Sequence, residues 1–153
     1  MKFSTKTRYG VRTMLEIALH SKGKGVLQKD IAVNQEISNK YLDSIIHSLK
    51  VAGLITNANG KKSGYMLTKH PSQISIYDVH RAFEPDICIV DCLGPNLQCI
   101  RDKKCIVRNF WVGLNKLIID YMEDSTLADL IDPDSRIRDS LINVQFTSNH
   151  KNI

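Results

Sequence analysis

Ile37-Ser38-Asn39-Lys40-Tyr41-Leu42-Asp43-Ser44-Ile45-Ile46-His47-Ser48-Leu49-Lys50-Val51-Ala52-Gly53 is the stretch that decides the fold. Tyr41, Leu42, Ile45, Ile46 and Leu49 recur at the three-and-four spacing of one helix face. Ser38 offers a hydroxyl to the open N–H groups of the first turn, and Gly53 supplies the stop. Just upstream, residues 28–33 read as a short helix with Ile31 and Ala32 turned inward, and residues 34–37 as a turn. Two helices joined by so short a turn, the second polar on its outer face, describe a helix-turn-helix. Ser38, Asn39, Lys40 and Asp43 then lie near the start of the second helix, where side chains reach base edges. Gln28, Tyr41, His47 and Lys50 complete the expected DNA-facing set on the helices.

Downstream, residues 54–56 and 65–67 read as two short strands. Between them Asn57-Ala58-Asn59-Gly60-Lys61-Lys62-Ser63-Gly64 forms a basic, glycine-containing tip. A hairpin of this kind is a wing, with Asn59, Lys61 and Lys62 placed to meet DNA. The fold class is therefore mainly α: a winged helix-turn-helix with a small β-hairpin wing, followed by a long C-terminal helix.

The remaining elements fit around this centre. Residues 7–20 carry Val11, Met14, Leu15 and Ala18 on one helical face, and Gly23 and Gly25 interrupt the pattern. Ser75-x-x-Asp78 has the form of a capping box opening a helix through Phe83. Residues 85–104 show little periodicity and read as a loop. Residues 106–122 make the longest helix, with Val107, Phe110, Trp111, Leu114, Leu117, Ile118 and Tyr121 on one broad stripe. Such a stripe must be covered, by a partner subunit or by the chain's own first helix. Residues 125–130 form a short capped helix stopped by Asp132-Pro133, and the tail from Asn143 is polar. The expected organisation is a DNA-binding head at 1–84 and a cysteine loop at 85–105. A dimerisation helix with a short final helix follows at 106–131, then a polar tail at 132–153.

Composition narrows the class. The 153 residues carry a net charge of +5, distributed unevenly. Residues 1–70 hold 12 Lys and Arg against 4 Asp and Glu, while residues 71–153 hold 9 against 12. A basic head joined to an acidic remainder fits a nucleic-acid-binding module with a regulatory tail. No apolar run is long enough to span a membrane, and the N-terminus has no secretory pattern. A cytoplasmic setting is expected, where thiols stay reduced. The histidines at 20, 47, 70, 80 and 150 have no metal-ligand spacing, and no phosphate loop or nucleophile triad supports an enzyme.

All four cysteines fall in one segment, spaced Cys88-x3-Cys92-x6-Cys99-x5-Cys105. Structural zinc sites draw on closer Cys pairs, whereas wider gaps suit an iron–sulfur cluster, whose irons each need a thiolate. Plain redox thiols near Arg101, Lys103 and Lys104 are the alternative, since nearby cations favour thiolate, and zinc is a third.

The opening Met1-Lys2-Phe3-Ser4-Thr5-Lys6-Thr7-Arg8-Tyr9-Gly10 resembles that of the bacterial winged-helix regulators that include IscR, NsrR, RirA and CymR. Ile37 to Leu42 and Leu49 to Ile55 resemble the same family's recognition-helix pattern. Gly64-Tyr65-Met66-Leu67 is similar to its wing strand, and Ser125 to Leu130 to its C-terminal signature. The likeness spans roughly residues 1–131. It implies a homodimer on a pseudo-palindromic promoter site, with the long helix as the dimer element and positions 38, 40 and 43 at bases or phosphates. Asp43 stands where such regulators often carry glutamate, Asn59 where many carry a minor-groove arginine, and Ser63 replaces a wing glycine. It also implies a [2Fe-2S] or [4Fe-4S] cluster on Cys92, Cys99 and Cys105. For the fourth ligand, Arg108 occupies the position of the histidine used by IscR-like members, and Arg8 the region of the aspartate used by NsrR-like members. Cys88 is the reading preferred here, with Asp91, Asp102 or an exogenous ligand as alternatives. The resemblance to CymR implies a different sensor, in which a cysteine-biosynthesis enzyme is the partner and no cluster is needed.

Overall fold

A computed structural model of the chain describes residues 3–21, 23–59, 63–94, 99, 101 and 104–132. Helix α1 (Thr5–His20) starts at Ser4, whose hydroxyl accepts the Thr7 N–H at 3.1 Å. Helix α2 (Gln28–Gln35) runs two residues beyond its predicted end. It stops where Glu36 enters the left-handed region (φ 54°), a conformation that ends a helix because the next N–H must turn back. That turn lets the Ile37 N–H reach the Ala32 carbonyl at 3.0 Å and drives the Ile37 side chain into the core.

Helix α3 (Asn39–Val51) begins at Ser38, which accepts the Tyr41 N–H at 3.3 Å. Leu42, Ile45, Ile46 and Leu49 are buried along it, as the periodicity predicts. Tyr41, expected on the same face, is only half-buried; its ring meets Tyr9 edge-on at 5.8 Å.

The wing pairs β1 (Ile55–Asn57) with β2 (Tyr65–Leu67) in antiparallel register, Ile55 opposite Leu67 and Asn57 opposite Tyr65. A further short bridge was not legible in the sequence. Val26 exchanges two backbone hydrogen bonds with Tyr65, each 2.8 Å, on the other edge of β2. Two glycines permit this approach. A Cβ on Gly64 would lie 2.3 Å from the Val26 carbonyl carbon, and Gly25 (φ 70°) packs against Gly64 in turn.

The core joins both ends of the chain. Met14, Ile17, Ile31, Leu42, Ile45, Leu49, Ile74, Val79 and Leu127 are fully buried in one cluster. Burial of each such side chain stabilises the fold by roughly 1.5–3 kcal/mol. Helix α4 (Ile76–Arg81) opens on the predicted Ser75/Asp78 capping box but ends short of Phe83. Helix α5 (Arg108–Asp124) is the longest helix among the described residues. Helix α6 (Leu127–Ile131) opens on a second capping box, Thr126 with Asp129, and returns to the head. There the Ile76 N–H bonds the Ser125 carbonyl at 2.8 Å and the Leu127 N–H bonds the Ile74 carbonyl at 3.0 Å. Helix α5 packs on α4 through Ile118, Ile119 and Met122, which form a small second core with Tyr77 and Ile87. The polar tail and Pro133 lie outside the described residues.

Candidate nucleic-acid interface and cysteine loop

The exposed side of α3 presents Asn39, Lys40, Asp43, His47 and Lys50, with Ser38 exposed at its start. These positions are one face because the buried set occupies the opposite one. Gln28, half-buried at the start of α2, sits beside this face: its Nε2 donates to Asp43 Oδ1. The Tyr65 hydroxyl donates to Gln28 Oε1 at 3.3 Å. Lys50 Nζ donates to Asn57 Oδ1 at 3.2 Å and lies 5.9 Å from the centre of the Tyr65 ring. Asn59 is exposed on the wing; Lys61 and Lys62 lie outside the described residues. The structure thus brings Gln28, Asp43 and Lys50 together with Tyr65 and Asn57. The last two were absent from the set expected from sequence. No local signal pointed to them, because the partner of Tyr65 lies far along the chain and that of Asn57 on a different element.

The first helix of the motif is fixed by polar contacts. Glu16 is buried, and its carboxylate accepts from Asn34 Nδ2 at 2.6 Å and Gln35 Nε2 at 2.7 Å. From the solvent side, the Arg12 guanidinium donates to the Gln35 side-chain and backbone carbonyls at 2.9 and 2.6 Å. A buried carboxylate without such donors would cost several kcal/mol, so the end of α2 is held in place.

The cysteine segment leaves α4 through a set of side-chain anchors. Buried His80 donates from Nε2 to the Pro85 carbonyl at 3.1 Å, while its Nδ1 has no hydrogen-bond partner among the described residues and lies 3.9 Å from Glu84 Oε1. The Tyr77 hydroxyl donates to Asp86 Oδ1 at 3.1 Å. Burial, with help from that bond to Asp86, pushes the Tyr77 hydroxyl above its ordinary pKa. Ile87 is buried, and the Ile89 N–H donates to Asn115 Oδ1 on α5 at 3.0 Å. Glu84 accepts from the Ser4 N–H at 3.1 Å and from the Thr7 hydroxyl. Burial by itself would raise the Glu84 carboxyl, but these bonds and neighbouring His80 outweigh it and hold its pKa below the ordinary value.

Cys88 falls inside this anchored stretch, Cys92 lies in a 3-10 turn at Asp91–Leu93, and Cys105 precedes α5. All four thiols are free and half-buried. No three His, Cys, Asp or Glu side chains among the described residues gather where one metal ion could sit. A cluster makes a different demand, because its thiolates attach to separate irons. The donor chemistry fits such a group: three reduced, partly accessible thiols in one segment. A preassembled single-ion site does not fit. Asp102 and Lys103 lie outside the described residues.

Residues 3–133 match the Rrf2 family, described as iron-dependent transcriptional regulators. The chain belongs to this family. Protein rrf2 of Nitratidesulfovibrio vulgaris is 39% identical over 131 residues, covering 86% of this chain and 87% of the relative. The structure of CymR, the global cysteine regulator of B. subtilis, matches with a TM-score of 0.73 at 30% identity, over 86% of this chain and 96% of that one. That of T. potens IscR matches at 0.67 and 29% identity, over 92% and 88%. The winged-helix fold and the IscR- and CymR-like kinship read from the motifs are thereby established for this member of the Rrf2 family. No helix among the described residues is long and apolar enough to cross a membrane.

Proposed function

We propose that this Rrf2-family regulator is a cytoplasmic homodimer that binds promoter DNA through α3 and the wing under control of an iron–sulfur cluster held by Cys92, Cys99 and Cys105. The observation that carries the reading is the position of that triad, between the DNA-binding head and α5. Cys88 is the fourth ligand in this proposal. When bound, the cluster supplies an oxygen- and redox-sensitive centre.

The chain's own residues supply the rest. Asn39, Lys40, Asp43 and Lys50 face the major groove and Asn59 approaches the backbone from the wing; Lys61 and Lys62 of the same basic stretch supply further phosphate contacts in this proposal. His80, Tyr77 and Asn115 tie the cysteine segment to α4 and α5, so a change in the loop reaches both helices. Phe110, Leu117 and Tyr121 are exposed on α5, and Leu117 and Tyr121 line a groove of about 550 Å³ together with Phe3, Val11, Ile118 and Met122. A second copy of the chain covers this face. Two recognition helices must then meet half-sites about 34 Å apart, and a small tilt of α5 changes affinity.

Anaerobic purification followed by iron and acid-labile sulfide assays and a visible spectrum tests the reading. Brown protein with both elements, lost in Cys92→Ala together with the oxidant response of DNA binding, is the expected result. Colourless protein that takes up no iron on reconstitution overturns it.

One feature of the chain supports a second reading: Arg101 and Lys104 stand close in sequence to Cys99 and Cys105, and nearby cations favour thiolate. In that case the loop senses oxidants through its thiols, or a cysteine-biosynthesis enzyme binds as partner. Oxidant-dependent DNA binding by iron-free protein, or co-purification of such an enzyme, would select it.

A further inference from the structure

We infer that Gln28 is a positioning residue for base recognition: it aims the Asp43 carboxylate, and it is itself set by the Tyr65 hydroxyl of the wing. The inference rests on the DNA-binding reading of α3 given above.

Donor and acceptor chemistry fixes the direction of the relay. A carboxylate only accepts, so Gln28 must present its Nε2 to Asp43 Oδ1. The Gln28 Oε1 then faces Tyr65, which must donate, as its hydroxyl does at 3.3 Å. Reversing the amide would set its oxygen against the Asp43 carboxylate, and turning the hydroxyl proton away would set the Tyr65 oxygen against Gln28 Oε1, two acceptors in either case. Three elements, the wing strand, the start of α2 and the recognition helix, are thus joined in a single polar chain.

The relay removes a competing arrangement. Lys40 and His47 stand three residues before and four after Asp43, the spacings at which polar side chains on a helix meet. A free Asp43 would fold back onto these neighbours. Held by Gln28, it keeps Oδ2 open on the exposed face, with no hydrogen bond to any described residue. An acceptor held there selects an amino group on a base edge, cytosine N4 or adenine N6, over a carbonyl oxygen. The Tyr65 ring serves the same surface a second way: Lys50 lies 5.9 Å from its centre and donates to Asn57. One wing residue, Tyr65, is thereby linked to both the acceptor and a cation of the recognition helix.

The test uses the full chain, both iron-loaded under anaerobic conditions and metal-free, against a randomised double-stranded DNA library. Fluorescence anisotropy then compares the enriched duplex with each single-base-pair variant. Tyr65→Phe deletes the hydroxyl and keeps the ring, and Gln28→Ala deletes the amide; matching unfolding midpoints confirm that both fold. Each is expected to lower preference at one base pair about five- to tenfold, the loss of one hydrogen bond's contribution. Preference elsewhere and the salt dependence stay unchanged. In an Asp43→Ala background both substitutions become silent. Equal weakening on every duplex, or the same effect with Asp43 removed, overturns the proposal. Enrichment by the wild type with unaltered variants overturns it alone; no enrichment by the wild type in either form overturns the DNA-binding reading with it.

Discussion

Asn115, in the middle of α5, accepts the backbone N–H of Ile89 through its side-chain oxygen at 3.0 Å. One residue before Ile89 stands Cys88, and three after it Cys92. The segment that carries the thiols is therefore bonded to the helix whose exposed face is proposed to meet a second copy. A backbone N–H held by a side chain is a directional link, because lengthening it forfeits the bond. On the proposed reading, this bond is what carries movement of the thiol loop to α5.

Replacement of Asn115 by Ala should uncouple the two. Thermal unfolding is expected to show a loss of about 1 kcal/mol, the net worth of a hydrogen bond. DNA affinity in the binding-competent state should change little, while its response to oxidant falls. Anisotropy titrations before and after oxidant treatment measure this; an intact response in the variant would mean that signalling bypasses α5.

Leu117 is 66% exposed and Phe110 63%, so neither contributes fully to the fold of one chain. Burying such side chains against a partner contributes roughly 1.5–3 kcal/mol each. Leu117→Glu should give a monomer by sedimentation velocity, with an unfolding midpoint that is lower than the wild type's and no longer depends on protein concentration. DNA affinity should fall with it. A variant that still sediments as a dimer would place the contact on another surface.

Glu84 makes stability depend on pH in the acid range. Its carboxyl lies below the ordinary value of 4.5 in the folded chain, where Ser4 and Thr7 donate to it. The unfolded chain therefore binds this proton first as pH falls. The stabilisation is fully present above about pH 4.5 and is lost as pH drops through the folded value. Glu84→Gln should be less stable than wild type at pH 7, with the gap narrowing below pH 4.5. Unfolding midpoints across pH 3–7 report it, and a gap constant with pH would show that the charge is not involved.

Gly64 lets the wing lie against the segment before α2. An alanine there would place its methyl 2.3 Å from the Val26 carbonyl carbon, and backbone cannot swing aside as a side chain can. Gly64→Ala is expected to cost about 2–3 kcal/mol. In a domain of this size that lowers the unfolding midpoint by roughly 4–12 °C. An unchanged midpoint would mean that the Val26–Tyr65 bridge does not form.

The winged helix was legible because its signals are local. Leu42, Ile45, Ile46 and Leu49 mark the buried face of α3 by spacing alone, and Ser38, Ser75 and Asp78 mark helix starts by side-chain chemistry three residues away. The cysteine spacing likewise placed the thiols in one segment. Boundaries that depend on backbone conformation were less legible. Helix α2 continues to Gln35 because Glu36 adopts a left-handed turn that favours glycine, and α4 ends before Phe83, whose ring packs against Gly10.

What the sequence determined by itself was the order and type of elements, the basic head and the supply of thiols. These follow from periodicities and compositions read within one or two helical turns. Only the tertiary structure decided which distant groups meet: Val26 with Tyr65, Leu127 with the head's core, Tyr65 with Gln28 and Asp43, Asn115 with the thiol loop. Each of these contacts joins residues far apart in the chain. Such contacts form only when burial of one shared core brings the elements together, and no local pattern records which polar groups will then lie within reach.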